Sequence, residues 1–116
     1  MRPQLNQSQI HPHALKKMES YHIEIVDEIS SALTKNEWVI VGMSHNPFVK
    51  KARKLLEEKK ISCAYMEYGN YFSHWKKRLA IKLWSGWPTF PQVFHKGVLI
   101  GGFVDLQNYL VVEVKS

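Results

Sequence analysis

The sequence predicts an α/β fold in which helices flank a mixed four-stranded sheet. Three observations carry this reading. Helical periodicity alternates along the chain with short apolar runs rich in β-branched residues. Two of those runs are joined through a helix, as in a βαβ unit, and two through the tight Lys96-Gly97 turn, as in a hairpin. The chain has 116 residues, 45% of them apolar and 12% aromatic, enough for one domain to bury its own core.

Residues 1–13 are polar, carry Pro3 and Pro12, and read as a flexible N-terminal tail; residues 14–116 read as a single domain. His11 and His13 lack a third ligand and make a weak metal signal. Over residues 14–35, Met18, Ile25, Ile29 and Leu33 mark one face of a helix, with Asn36 at its stop. Residues 37–42, EWVIVG, read as a strand buried on both faces, hence central and parallel. Asn46 followed by Pro47 is a helix start, Asn as N-cap and Pro in the first turn. That helix is expected to reach Lys60, with Phe48, Ala52, Leu55 and Leu56 on its apolar face.

Residues 61–67 alternate and predict a second strand, with Cys63 as a buried core thiol. Phe72, Trp75, Leu79 and Leu83 form one stripe of a third helix. Residues 89–95 read as a strand that contains Pro91. Proline cannot donate to a ladder, so an edge or a special position is expected there. Val98 to Ile100 completes the hairpin. A last helix is expected over residues 105–112, with Leu106, Tyr109 and Leu110 inward; Val111, Val112 and Val114 offer a short tail strand as the alternative.

Charge and composition narrow the function classes. Sixteen Lys and Arg against ten Asp and Glu leave a net charge of +6. The cations cluster at Lys50, Lys51, Arg53, Lys54, Lys59 and Lys60, and again at Lys76, Lys77, Arg78 and Lys82. They read as solvated helix faces able to dock an acidic protein. No helix-turn-helix, zinc-finger or RNA-platform motif is present, so no nucleic acid partner is expected. Cys63 is the one cysteine, which excludes an internal disulfide and two-thiol redox chemistry within the chain. No apolar run reaches the roughly 18 residues of a membrane span, and the first residues lack the apolar core of a signal peptide. A cytoplasmic location without membrane contact is the expectation.

Residues 81–94, IKLWSGWPTFPQVF, lead into Ile100-Gly101-Gly102. Together they resemble the central signature of the monothiol glutaredoxins, and the likeness extends over about residues 20–112. It implies a thioredoxin-like glutaredoxin sandwich with an extra N-terminal helix. Asn46, Pro47, Phe48 and Val49 stand where that family places Cys-Pro-Tyr-Cys or Cys-Gly-Phe-Ser. Its members carry out glutathione-dependent thiol–disulfide exchange, and the monothiol type bridges an iron–sulfur cluster through the same cysteine and glutathione. Here Asn46 takes the place of that cysteine and Val49 that of the second. An amide is no nucleophile, and exchange needs a thiolate. The cluster loses its protein ligand too and is not expected. Cys63 stands away from the helix start. The family's lysine before the cysteine is also missing, with Met43 or Ser44 near its place.

The resemblance still implies a ligand groove. Thr89, Phe90 and Pro91 would form one wall, with Pro91 cis and the Phe90 backbone pairing with the cysteinyl part of glutathione. Gly101 and Gly102 would admit close backbone approach. The Phe103 and Val104 amides would face the γ-glutamyl carboxylate, as helix N-termini favour anions. The family commonly has an acidic residue at the place of Val104; Asp105 reads as a helix-start residue. Arg78 matches a position that reaches the glycyl carboxylate, or else is one more solvated cation. Ser44 and His45 lack the orienting acid of a hydrolytic site.

The expected function is therefore that of a glutaredoxin-related protein inactive as an oxidoreductase. Its groove would bind glutathione, another small anion or a peptide. The alternative is a non-catalytic interaction scaffold that uses its basic helix surfaces. Residual redox chemistry through Cys63 is a third reading.

Overall fold

The computed structural model describes residues 11–14, 23–70 and 73–115, the side chains of 113–115 excepted. The elements are helix α1 (Ile23–Lys35), strand β1 (Trp38–Gly42), helix α2 (Pro47–Glu58), strand β2 (Ala64–Glu67), helix α3 (Trp75–Ser85), strands β3 (Gln92–His95) and β4 (Val98–Gly101), and helix α4 (Phe103–Lys115). Residues 12–14 form a helical turn. The expected helix positions 15–22, Met18 among them, lie outside the described residues. No helix among the described residues is long and apolar enough to cross a membrane.

The sheet runs β2-β1-β3-β4. β1 pairs parallel with β2, Ile40 opposite Tyr65, and antiparallel with β3, Ile40 opposite Val93. β3 and β4 form the antiparallel hairpin. All five residues of β1 are buried, as its unbroken apolar run predicts. Its side chains alternate between two cores. Val39 and Val41 meet Ile25 and Ile29 of α1, Ile81 of α3 and Phe94 of β3. Trp38 and Ile40 meet Ala52 and Leu56 of α2 and Leu106 and Leu110 of α4. The sheet is thus covered on both faces. Asn36 closes α1, its backbone and side-chain N–H groups both donating to the Ala32 carbonyl at 3.0 and 2.9 Å.

Several expectations are corrected. Residues 61–63 are not strand. The Ile61 N–H still donates to the Leu56 carbonyl at 2.9 Å, so the chain is leaving α2 there. Cys63 is half-buried just ahead of β2 rather than a fully buried core thiol. On α2, Val49, Ala52 and Leu56 are buried while Phe48 is half exposed. On α3 the Trp75, Leu79 and Leu83 stripe faces solvent, and Arg78, Ala80 and Ile81 are buried instead. Helical spacing marks a face but does not say which face docks. The expected Phe72 lies outside the described residues. Pro91 immediately precedes β3, an interior strand, so it removes no donor from the ladder. α4 begins at Phe103 and stays helical through residue 115, which excludes the tail strand.

At the sheet end formed by the start of β1 and the end of β3, His95 stacks on Trp38 with ring centroids 4.0 Å apart. Its Nδ1 lies 2.6 Å from the Tyr109 hydroxyl and its Nε2 3.2 Å from Glu37 Oε2. An ionised carboxylate only accepts, so Nε2–H donates to Glu37, and in the neutral ring Tyr109 donates to Nδ1.

At the other end β1 hands the chain to α2 at close quarters. A Cβ on Gly42 would stand 2.8 Å from Val49 Cγ1. Gly42→Ala is expected to destabilise by about 1–3 kcal/mol through overpacking. Adding Val49→Ala should recover part of that loss, read as a non-additive double-mutant cycle in denaturant melts.

Candidate functional site

Beyond the C-terminal end of β1 lies an open groove of about 580 Å³. The β1–α2 segment contributes Met43, Asn46, Pro47 and Phe48; α3 contributes Lys82; residues 87–91 form a second wall; and residues 102–105 form a third.

Asn46 sets the chemistry of the first wall. Its backbone is extended (φ −97°, ψ 118°) and its Oδ1 accepts from the N–H groups of Phe48 at 2.9 Å and Val49 at 3.1 Å. The Lys50 N–H donates to the Asn46 carbonyl at 3.2 Å, and Pro47 has no N–H. The start of α2 is therefore fully capped from within. Ser44 is tied away from the groove: its N–H and its hydroxyl both donate to the Gly69 carbonyl, at 2.8 and 3.0 Å. His45 is exposed at φ 61°. Ser44 and His45 share no hydrogen bond, so they form no hydrolytic pair.

On the second wall the Phe90–Pro91 peptide is cis. Phe90 is buried and Thr89 is exposed beside it. Gln92 is fully buried, and its Nε2 donates to the Trp87 carbonyl at 3.1 Å, which braces the turn.

The two glycines divide their work. Gly101 has φ 128°, and a Cβ there would strike Asp105 Oδ2 at 2.6 Å; it does not line the groove. Its role is to let the chain pass Asp105. Gly102 does line it, and a Cβ there would find nothing nearer than 3.7 Å. The Gly102 N–H donates to Asp105 Oδ2 at 3.0 Å, so Asp105 serves the helix start. Phe103 and Val104 open α4 on the groove, and their N–H groups have no acceptor among the described residues.

Arg78 is not a solvated cation. It is 7% exposed, and its Nη1 donates to the carbonyls of Tyr68, at 2.9 Å, and Ser73. It fastens the β2–α3 connection and does not line the groove. The cation that does is Lys82, one helical turn further along α3, with Nζ 5.6 Å from the Phe90 ring centre. Sequence reasoning passed over Lys82; its i+4 spacing from Arg78 was the available signal.

Cys63 lies outside the groove. Burial raises its pKa, an effect the Arg53 charge partly offsets, which lowers the fraction of reactive thiolate. No thiol lines the groove, and its donor set does not fit an iron–sulfur cluster. Among the described residues no group of three His, Cys, Asp or Glu is placed to hold a metal ion.

Arg78→Ala is expected to lower stability by about 2–4 kcal/mol, because two carbonyls lose a charged donor. Denaturant unfolding measures it.

Comparison with known proteins places this geometry. A family model described as Glutaredoxin matches residues 38–100. A glutaredoxin-like protein of Dictyostelium discoideum is 48% identical over 86 residues, 74% of this chain and 70% of that one. Glutaredoxin 4 of Haemophilus influenzae is 28% identical over 101 residues, 81% of this chain and 91% of its own. Among solved structures, a buckwheat glutaredoxin–glutathione complex superimposes with a TM-score of 0.72 at 18% identity, over 82% of this chain and 86% of that one. Oxidized glutaredoxin 2 of Chlamydomonas reinhardtii gives 0.67 at 22%, over 79% and 87%. The chain has the thioredoxin-like fold and belongs to the glutaredoxin family.

Proposed function

We propose that this protein binds glutathione, or a small anionic peptide of that kind, in its groove and performs no thiol–disulfide exchange. The observation that carries the reading is Asn46. It occupies the start of α2 as a cap, with its oxygen already bonded to Phe48 and Val49. Neither it nor any other groove residue offers a sulfur for a mixed disulfide.

The binding half of the site supports the other part of the proposal. The Phe103 and Val104 N–H groups at the start of α4 suit one carboxylate. Lys82, on another wall of the groove, suits a second. Gly102 leaves room for close approach of a ligand backbone. Asp105 already serves the Gly102 N–H and adds a negative charge that a ligand must pass. A family neighbour was solved as a glutathione complex, which agrees with this assignment.

A second reading, a protein-interaction scaffold, is favoured by one observation. Trp75, Leu79 and Leu83 stand exposed on α3 beside Lys76 and Lys77. Under that reading the groove is idle and glutathione does not bind.

Calorimetric titration with reduced glutathione should give saturable binding that weakens with salt, with no turnover in a glutaredoxin assay. Lys82→Ala should weaken binding about tenfold, the loss of one charged contact of about 1.5 kcal/mol, with unfolding unchanged. No heat and no NMR shift at Phe90 would remove the reading. Asn46→Cys places a thiol against the Phe48 and Val49 amides, where its pKa should fall below the free value of about 8.5. Alkylation at neutral pH should be roughly ten times faster there than at Cys63, which serves as the internal reference.

A further inference from the structure

We infer that the groove prefers glutathione in its S-substituted form, as a thioether carrying an apolar group, over the free thiol. This rests on the glutathione reading above and goes beyond it to the ligand class.

On the glutathione reading the ligand sulfur would stand beside Asn46, at the place of the family's cysteine. A sulfur anion there would need donors from the first turn of α2, and none is open. Pro47 has no N–H, Phe48 and Val49 donate to Asn46 Oδ1, and Lys50 donates to the Asn46 carbonyl. The first turn of α2 thus offers an ionised sulfur no hydrogen-bond donor.

Nearby groove surface is apolar and uncovered. Pro47 and Phe48 line it from the start of α2, and Val104 lines it from α4. Phe48 is 50% exposed and Val104 61% exposed, at two sides of the same groove. A free thiol leaves that surface in water, whereas an alkyl or aryl group on the sulfur would cover it. The carboxylate contacts at α4 and Lys82 hold the peptide part and are indifferent to what the sulfur carries. At about 580 Å³ the groove is within the size range of sites for drug-sized ligands, with room for a substituent. The ligand is bound intact, and no bond forms or breaks.

The test is calorimetry on the full chain with reduced, S-methyl-, S-butyl- and S-hexylglutathione. Affinity is expected to rise by about twofold per methylene, half of what full burial would give. Phe48→Ala and Val104→Ala alter exposed side chains and should flatten the dependence on chain length. S-hexylcysteine, which lacks the γ-glutamyl and glycyl groups, should bind at least tenfold more weakly than S-hexylglutathione, about 1.4 kcal/mol. Reduced glutathione binding as tightly as its S-hexyl form would overturn the inference and leave the glutathione reading standing. Equal binding of S-hexylcysteine would overturn it as apolar adsorption. Failure of all four glutathione forms to bind would overturn both.

Discussion

The Asn46 side chain holds the N–H groups of Phe48 and Val49, and the chemistry of the groove follows from that pair of hydrogen bonds. A helix start presents unpaired donors and a partial positive charge, the two features that lower a thiol's pKa or seat an anion. The neutral Asn46 Oδ1 satisfies those donors from within the chain. The helix start is therefore left without an open donor for a thiolate or an anion, and the cap stabilises the helix by about 1 kcal/mol as a good N-cap does. The groove wall at α2 is uncharged and, apart from Asn46, apolar.

That wall stands where it does because β1 is buried on both faces. Val39 and Val41 bind it to α1 and α3, and Trp38 and Ile40 to α2 and α4. Gly42 then lets Val49 approach within reach of the sheet, which sets α2 over the end of β1. The opposite end of the strand is held by the Trp38–His95 stack and the Glu37 and Tyr109 bonds to His95. One strand anchored at both ends can carry a groove whose walls come from loops and helix ends.

Two cations on α3 show how much depends on which way a helix is turned. Arg78 and Lys82 are one turn apart, yet Arg78 is buried against backbone carbonyls and Lys82 reaches the groove. The same rotation leaves Trp75, Leu79 and Leu83 in solvent. Arg78 holds the chain between β2 and α3 through the Tyr68 and Ser73 carbonyls.

The sequence by itself determined the element order, the βαβ unit and hairpin, the burial of β1 and the Asn46 cap. Each of these is local: periodicity, β-branched runs, Asn-Pro and Lys-Gly pairs act within a few residues. The place of the groove came from the resemblance of the WPTFPQ run and the Gly101-Gly102 pair to a known family, not from local propensity. Tertiary structure alone decided the rest. Alternation in the chain places Cys63 in a strand core, but its segment is still leaving α2, so the strand begins only at Ala64. Arg78 and Lys82 could not be told apart, because periodicity gives a helix its faces and packing chooses which one turns inward. Gly101 and Gly102 look alike in the chain, yet the position of the Asp105 side chain makes one a backbone necessity and the other a wall of the groove.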